Sequence, residues 1–384
     1  MTRIPALSAV ILAITALTGC QVLQQPAQTT DSQKTSQTET ESSKSEQKTG
    51  EAQGNKPSKP PRPDTISVKQ QLVQTPARVG GKLVLGFAEE GTLTEYGLVM
   101  NAKIDTGAGR SSIDARNIEN FERDGKKWVR FDLPRTSKGN VTLELPVKET
   151  VLIKRPGGEE PQPRPIVNMN IKVGDITQNL DVSLNDRTTF DYPLLVGRDF
   201  LKDMAVADVG KKFIASEKVL DSVSRKIPAD GNLSIKEQID KPVDVSGLQL
   251  LGEKEVVHVK GFKNTFKARI DTGARTSSIN AKDIEFFTKN GERWVRFKII
   301  NGDESIAFER KIQRDIEIKR HGGLEHQERV SVFIPITLGK ISRDTEFTLT
   351  NRSGYDFPIL IGERFLSNTA LVDVAQQNIA ELKK

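Results

Sequence analysis

The 384-residue sequence contains one cysteine, Cys20, and three histidines, and only 5% of its residues are aromatic. A single cysteine excludes an internal disulfide framework, an iron–sulfur cluster and a cysteine-based zinc site. Three histidines leave little material for a histidine-rich metal centre. The net charge of +6 is small for this length, and no basic stripe interleaved with aromatic residues indicates nucleic-acid binding. We therefore expect no metal, no cofactor and no nucleic-acid partner.

The first twenty residues are typical of an export signal. An apolar run from Ile4 to Leu17 follows Arg3 and is too short for a comfortable transmembrane span. The run ends in Leu17–Cys20, which resembles the lipobox of bacterial lipoproteins, whose cysteine is lipidated and becomes the first mature residue. Gln21 follows, as in lipoproteins sorted to the outer membrane. We expect a signal peptide over 1–19, lipid attachment at Cys20 and a location at the periplasmic face of the outer membrane. An ordinary cleaved signal with a chance cysteine is the alternative.

Two polar stretches divide the rest of the chain. Residues 20–77 are rich in Gln, Thr, Ser, Lys, Glu and Pro and contain no aromatic residue. Such a composition buries too little apolar surface to offset the entropy of ordering, so it predicts a disordered tether. Residues 216–246 predict a linker. The linker separates a first domain, residues 78–215, from a second domain, residues 247–384.

The two domains are an internal duplication. The recurring segments, in pairs, are Ile104–Ala108 with Ile270–Ala274, Ser111–Ile113 with Ser277–Ile279, Trp128–Phe131 with Trp294–Phe297, and Pro193–Leu201 with Pro358–Leu366. The offset falls from 166 to 165 residues between the third pair and the fourth. The second domain has therefore lost one residue in the loop after Phe297.

The local signals within each domain are mostly those of strands. Apolar runs such as Val330–Ile336 are β-branched and bounded by turn residues. Asp124–Gly125 and Asn290–Gly291 predict tight turns just before strands. Helical periodicity is weak and confined to short pieces such as Asp114–Phe121 and Ala281–Phe287. The predicted fold class is all-β, in two copies.

Asp-Thr-Gly at the end of an apolar strand, followed about ninety residues later by an apolar-apolar-Gly strand, resembles the retropepsin-like aspartic peptidases. Leu194–Leu201 is similar to that later strand in retroviral proteases. The wider pattern resembles that of bacterial proteins named ATP-dependent zinc proteases. Its features are the Ser-Ser after the motif, the Trp-Val-Arg-Phe strand, and Arg187 or Arg352 shortly before the apolar-Gly strand. The sequence contains neither a Gly-x-x-x-x-Gly-Lys phosphate loop nor a His-Glu-x-x-His zinc helix. The resemblance implies two tandem retropepsin-like β-barrels, apposed as in the bilobal pepsins.

The resemblance also implies the roles of the repeated residues. Asp105 and Asp271 are the expected catalytic carboxylates, which share one proton and activate a water between them. An Ala after each Asp-Thr-Gly removes a hydroxyl donor, so the pair is expected to titrate higher than in pepsin and to work nearer neutral pH. The residues expected to support the two loops are Thr106, Gly107, Ala108, Thr272, Gly273 and Ala274.

The domains differ beside the motif. The first has Arg110 where the second has Thr276, the usual family residue, which puts the activity of the first domain in question. The second has Arg275 after the motif and Glu363 after the apolar-Gly strand. We expect an ion pair between these two, with its charges exchanged relative to retroviral proteases.

Two further features have a structural and a functional interpretation. The loops 154–164 and 319–329 are candidates for a mobile flap over the cleft or plain surface hairpins. His321 and His326 have the spacing of a chelating pair, but the first domain has Pro156 and Pro161 there, which disfavours zinc. His258 alternates with valines and is expected to be a strand residue.

The sequence thus predicts a lipid-anchored envelope aspartic endopeptidase with a polypeptide substrate. One alternative is a non-catalytic module of the same fold that holds an envelope polypeptide in its cleft. Another is a homodimer in which equivalent domains pair between molecules.

Overall fold

The computed structural model describes residues 65–153, 162–228, 234–318 and 327–381. These residues belong to one compact unit, 62–384. The predicted signal peptide, Cys20, most of the tether, and the tips of both flap candidates with His321 and His326 lie outside the described residues. In the described part of the chain, no helix is long and apolar enough to cross a membrane.

The described chain is nearly all strand, which confirms the all-β prediction. The elements up to the end of the first domain are β1 (Thr65–Thr75), β2 (Arg78–Val79), β3 (Lys82–Gly86), β4 (Ala88–Leu93), β5 (Leu98–Ile104), β6 (Ser112–Asp114), β7 (Arg116–Arg123), β8 (Lys126–Thr136), β9 (Gly139–Ile153), β10 (Gln162–Val173), β11 (Ile176–Asn185), β12 (Leu194–Val196), α1 (Arg198–Leu201) and β13 (Ala205–Asp208). The elements after it are β14 (Lys218–Pro228), β15 (Ser234–Pro242), β16 (Gln249–Gly252), β17 (Lys254–Val259), β18 (Phe266–Ile270), β19 (Ser277–Asn280), β20 (Lys282–Lys289), β21 (Glu292–Asn301), β22 (Glu304–Lys311), β23 (Arg314–Ile318), β24 (Gln327–Leu338), β25 (Ile341–Thr350), β26 (Ile359–Ile361), α2 (Glu363–Leu366) and β27 (Ala370–Asp373).

Each domain closes six strands into a barrel. In the first domain the ring runs β4–β5–β12–β6–β11–β10 and returns to β4. In the second it runs β17–β18–β26–β19–β25–β24 and returns to β17. Every second residue along a barrel strand points inward, so the closed barrel buries one apolar face of each strand in its core. In β5, for example, Leu98, Met100, Ala102 and Ile104 are all buried in the barrel core.

The turn predictions are confirmed. Asp124 and Gly125 both have positive φ, as do Asn290 and Gly291, which is the backbone that two-residue hairpins need. The weak helical periodicity over Asp114–Phe121 and Ala281–Phe287 does not correspond to helices. These pieces are strands whose outer faces are exposed, so their spaced apolar residues reflect pairing with the neighbouring strand rather than helix packing.

The residue lost between the domains has a structural counterpart. The pairing of β8 with β9 shifts register between Leu133 and Thr136, whereas β21 and β22 pair without a shift. Phe131 lies opposite Leu143, and the duplicate Phe297 lies opposite Phe308. The extra residue of the first domain is therefore accommodated as a β-bulge.

One sheet crosses from the first domain to the second, in the order β16–β27–β13–β3–β2. Its central pair, β13 and β27, is antiparallel with Ala207 opposite Val372. Lys82 Nζ of the first domain lies 2.8 Å from Asp373 Oδ2 of the second. The two domains are thus joined through backbone pairing and packing, which brings the two Asp-Thr-Gly loops to the same place.

The boundaries of the predicted tether and linker need correction. β1 occupies the last part of the predicted tether, and β14 and β15 occupy much of the predicted linker. β14 pairs antiparallel with β1, and β15 pairs parallel with it on the other side. β14 and β15 are exposed and β1 is mostly half-buried, with Val68 and Val73 buried, so the polar composition of these segments did not indicate strands.

Candidate active site

The two aspartates sit on equivalent turns at the ends of two barrel strands. Asp105 follows β5 and Asp271 follows β18, and each backbone N–H donates to the apolar-Gly strand beside it. The Oδ1 atom of Asp105 accepts hydrogen bonds of 2.8 and 3.0 Å from the N–H groups of Gly107 and Ala108. Asp271 accepts the same pair at 2.9 and 3.0 Å. The backbone of each loop therefore holds its own carboxylate by one oxygen.

The threonines tie the two loops to each other. Thr106 N–H donates to Thr272 Oγ1 at 2.9 Å, and Thr272 N–H donates to Thr106 Oγ1 at 3.0 Å. Each hydroxyl donates in turn to a backbone carbonyl of the opposite domain, at 2.9 Å in both cases. Both threonines are fully buried. The loop-support role expected for them is therefore matched by reciprocal contacts across the domain boundary.

The glycines let the carboxylates approach across that boundary. A Cβ atom placed on Gly107 would lie 2.3 Å from Oδ2 of Asp271. One placed on Gly273 would lie 2.2 Å from Oδ2 of Asp105. Real Cβ atoms do not come this close to oxygen, so each glycine makes room for the aspartate of the other domain. The structure thus brings both predicted carboxylates together within one chain.

The electrostatics of the pair are those of a shared proton. Burial, together with the negative charge of Asp105, raises the pKa of Asp271 to about 6, even though the two backbone N–H groups favour its charged form. Two carboxylates this close cannot both ionise cheaply, so the pair titrates as a unit. Asp271 is the member that retains the proton in mildly acidic solution.

A cation supports each loop from the opposite domain. Lys103 Nζ donates to the carbonyl oxygen of Gly273 at 2.6 Å, and Arg269 Nη2 donates to that of Gly107 at 3.2 Å. Both cations lie one residue before the end of the strand that carries their own aspartate. Sequence reasoning did not single them out, although two basic residues at equivalent positions of the duplication were a visible signal.

Two buried arginines, known only as part of the family pattern, brace the cleft from behind. Arg187 Nη1 donates to Ser112 Oγ at 3.1 Å, and Arg352 Nη1 donates to Ser278 Oγ at 2.9 Å. The first serine of each Ser-Ser pair does a different task, since Ser111 Oγ accepts the N–H of Gly197 at 3.0 Å. The repeated Ser-Ser thus connects the aspartate loop both to the apolar-Gly strand and to the buried arginine.

The cleft at this floor has a volume of about 620 Å³. Among the described residues, most of its wall comes from the first domain, and the second contributes Asp271, Gly273 and Ala274. Four basic side chains reach it, Lys103, Arg110, Arg164 and Arg187. Burial lowers the pKa of Arg187 to about 10, which leaves it charged at neutral pH. The cleft is therefore cationic around its two acidic groups.

The residues at which the domains differ have found other partners. Arg110 Nη2 lies 2.9 Å from Glu149 Oε1 of β9 and lines the cleft. The predicted ion pair between Arg275 and Glu363 is wrong, because within the described residues neither forms one and their segments meet through backbone hydrogen bonds instead. His258 is a strand residue, as predicted, with Nε2 2.8 Å from the carbonyl oxygen of Phe262.

Comparison with known proteins agrees with this geometry. The family model described as "Retropepsin-like aspartic endopeptidase RimB" matches residues 84–218 and again 250–383. Curated relatives named probable alpha-L-glutamate ligase share shorter segments. One from Shewanella halifaxensis is 38% identical over 128 residues, which are 31% of this chain and 28% of the relative. One from Desulfotalea psychrophila is 34% identical over 115 residues, 29% of this chain and 25% of the relative. The chain thus spans only about a quarter of the length of these relatives.

A solved structure of protein Lpg0085, of unknown function, from Legionella pneumophila is 35% identical. It covers 34% of this chain and 97% of its own, with a TM-score of 0.30. The two matches of the family model together cover well over half of the sequence and fall on the two barrels described above. The chain therefore belongs to the RimB-like family of retropepsin-like aspartic endopeptidases.

Proposed function

We propose that this chain is an aspartic endopeptidase whose single active site is formed by Asp105 and Asp271 within one molecule. The observation that carries the proposal is the close approach of each carboxylate to the glycine of the opposite loop. No fold requirement explains two carboxylates held together at the floor of an open cleft. Their mutual repulsion costs stability, and general acid–base chemistry is what such a pair provides.

The proposed mechanism follows from the position of the proton. Asp271 holds it, because its pKa is raised to about 6, and Asp105 accepts a proton from a water between the two side chains. The oxygen of that water bonds to the peptide carbonyl carbon while Asp271 donates its hydrogen bond to the carbonyl oxygen. Collapse of the tetrahedral intermediate breaks the C–N bond, and the leaving nitrogen takes up the proton held by Asp105. The carboxyl and amine products leave with the atoms of one water added.

The lining of the cleft supports a substrate with acidic side chains. Lys103, Arg110, Arg164 and Arg187 all reach the cleft, where the lining formed by the described residues holds two acidic side chains, Asp105 and Asp271. A guanidinium group binds a carboxylate with paired hydrogen bonds, so these arginines favour Asp or Glu near the scissile bond. The relatives named as glutamate ligases carry a segment similar to part of this chain, which agrees with an acidic polypeptide as the substrate class.

The test is peptide cleavage by the purified chain, with Asp105→Asn and Asp271→Asn compared with the wild type. We expect each substitution to lower kcat by about 10²–10⁴-fold, because each removes one half of the acid–base pair. Asp124→Asn is the matched control, since Asp124 is an exposed turn residue with positive φ that asparagine also tolerates.

The outcomes separate the alternatives. Loss in both variants supports the shared pair, and loss in only one contradicts it. If no peptide is cleaved but acidic peptides bind to the wild type and to Asp271→Asn alike, the non-catalytic binding module becomes the better description.

We further propose that the enzyme acts in the cell envelope, attached to the membrane through lipid on Cys20. The support is the Leu-Thr-Gly-Cys sequence after a short apolar run. Metabolic labelling with palmitate tests this directly. Label on the wild type but not on Cys20→Ser is expected, and an unlabelled wild-type protein in the soluble fraction contradicts the anchor.

A further inference from the structure

The two sides of the domain boundary beside the cleft are not equivalent. On one side, Arg198 Nε of the first domain lies 3.0 Å from Glu253 Oε1 of the second. Arg269 Nη2 approaches the same oxygen at 3.3 Å. Arg198 is 25% exposed and Glu253 only 13%, so the group is largely withdrawn from water. It is therefore an ion-pair cluster that spans the two domains where solvent screens it poorly.

This cluster is also directed onto the loop that carries Asp105. Arg198 Nη1 donates to the carbonyl oxygens of Thr106 and Gly107 at 3.1 and 2.7 Å. Arg269 donates to the Gly107 carbonyl from the second domain. Glu253 lies between the two guanidinium groups and keeps them together. The position of the Asp105 loop thus depends on a carboxylate of the other domain.

The mirror-related side has different residues. Phe87 stands where the second domain has Glu253, and Glu363 stands where the first has Arg198. Lys103 Nζ lies 5.0 Å from the ring centroid of Phe87 and still reaches the Gly273 carbonyl. Across the described residues, Glu363 forms no ion pair. Each Asp-Thr-Gly loop therefore contacts a cation of the opposite domain. The position equivalent to Glu253, the carboxylate that contacts two cations, holds Phe87 in the first domain.

We propose that Arg198, Glu253 and Arg269 form a one-sided electrostatic lock, which selects the second domain as the partner of the first and holds the Asp105 loop in place. Pairing of two first domains would set Arg198 opposite Phe87, with no carboxylate to compensate its charge. Pairing of two second domains would set Glu363 near Glu253, which are like charges. Both arrangements leave charge poorly compensated in a partly desolvated interface, which is a penalty against the wrong partner.

The asymmetry of the joining sheet points the same way. Lys82 of the first domain pairs with Asp373 of the second, whereas the equivalent of Lys82 in the second domain is Leu248. Asp208, the equivalent of Asp373, pairs instead within its own domain, with Lys211 at 2.7 Å. In both cross-domain ion pairs the first domain supplies the cation and the second the anion. A pair of two second domains would lose both.

The experiment uses the full chain and two measurements that need no catalysis. Amide hydrogen exchange at Thr106–Ala108 reports on the loop, and sedimentation velocity reports on pairing between molecules. The variants are Glu253→Gln, Arg198→Met, their combination, and the conservative Arg198→Lys. Glu363→Gln is the matched control, because it occupies the position equivalent to Arg198 without an ion pair. Steady-state kinetics on an acidic peptide complete the set.

We expect a monomeric wild type, and Glu253→Gln should speed exchange in the loop by about tenfold or more, since two guanidinium groups then repel each other. Arg198→Met should also speed exchange, because its two hydrogen bonds to the loop are lost. In the double variant the increase should be smaller than the two single effects combined, because Arg198 and Glu253 act as one unit. Arg198→Lys should lie between wild type and Arg198→Met. Where peptides are cleaved, kcat should fall for Glu253→Gln while KM changes little. The Glu363→Gln protein should match the wild type throughout.

Three results would overturn the lock. They are wild-type exchange in Glu253→Gln, effects of Glu253→Gln and Arg198→Met that simply add in the double variant, and a wild-type dimer whose like domains pair. None of these depends on peptide cleavage, so failure of the lock is distinguishable from failure of the proposed protease activity.

Discussion

The first and second domains build the floor of the cleft alike and its surroundings differently. Each aspartate accepts two backbone N–H groups, each threonine bonds across the boundary, and each glycine admits the opposite carboxylate. Outside this floor, Arg198 and Glu253 have no equivalent pair on the mirror-related side. Duplication has thus preserved the geometry of the paired aspartates and has changed the ion pairs around them.

A second difference lies behind the cleft wall. Although burial opposes its charge, hydrogen bonds from Arg116, the Arg187 N–H and Arg135 lower the pKa of Asp114. The second domain has Asn280 at this position, whose Oδ1 accepts the Arg352 N–H at 2.7 Å. The first domain therefore carries a charged network beneath its part of the cleft wall, and the second domain has a neutral side chain at the equivalent position.

The largest effect is expected when two variants, each lacking one of the two carboxylates, are mixed. If the active site forms within one molecule, Asp105→Asn mixed with Asp271→Asn recovers no activity, because no molecule holds both carboxylates. If equivalent domains paired between molecules, Asp271→Asn alone would keep activity through two copies of Asp105. Measuring peptide cleavage by each variant and by the equimolar mixture distinguishes the two, and recovery in the mixture would also reveal exchange of domains.

The equivalence of the two loops is tested by Gly107→Ala and Gly273→Ala. Each added methyl group meets the carboxylate of the opposite domain at under 2.5 Å, so both variants should lose about 10²-fold in kcat. Gly354→Ala is the control, since no atom lies within 4 Å of its Cβ position and its φ is not positive. Losses that differ by more than tenfold would show that one aspartate tolerates displacement and the other does not.

The raised pKa of Asp271 should appear in the pH dependence of both activity and stability. Because the pKa of Asp271 is raised to about 6, the proton needed for catalysis is lost above that pH, and kcat/KM should fall about tenfold per pH unit there. The same proton stabilises the folded state at low pH, and this contribution disappears as pH rises through about 6. Asp271→Asn should therefore flatten the pH dependence of unfolding in this range. A pH–rate maximum below about pH 4 contradicts the assignment.

The smallest expected effect concerns the wall residue that differs between the domains. Arg110→Thr installs the residue of the second domain and removes an exposed ion pair with Glu149, so stability should change by less than about 1 kcal/mol. The KM for an acidic peptide should rise several-fold while that for a neutral peptide stays constant. Equal changes in KM for both peptides would show that Arg110 does not select acidic substrates.

Much of the fold and the site could be predicted from repeated local patterns. Period-two burial, the Asn-Gly and Asp-Gly turns and the Asp-Thr-Gly motif are properties of a few adjacent residues. Their recurrence at a constant offset made each more specific than it is alone. The serines and arginines that brace the loops also recurred, but a role for Ser112 or Arg187 required knowing that they meet across the barrel.

Both errors of the sequence analysis concern contacts between residues that lie far apart in the sequence. The expected Arg275–Glu363 pair was inferred from the resemblance to retroviral proteases, whereas the two segments meet through the backbone hydrogen bonds from Glu363 N–H to Ala274 and from Arg364 N–H to Arg275. The strand β1 and its partners β14 and β15 were missed because their residues lie more than 140 positions apart and stay largely exposed. Amino-acid composition indicates how much apolar surface a segment can bury. It does not indicate whether the segment pairs with a strand elsewhere in the chain.

The presence of one aspartate in each of two copies of a strand-rich domain follows from the amino-acid sequence, because duplication and local pattern are visible along the chain. The meeting of the two aspartates, the large share of the first domain in the described cleft wall, and the contact of Arg198 with Glu253 follow from the tertiary structure. These are contacts between residues far apart in sequence, and their formation depends on how two barrels pack and which charges the packing removes from water.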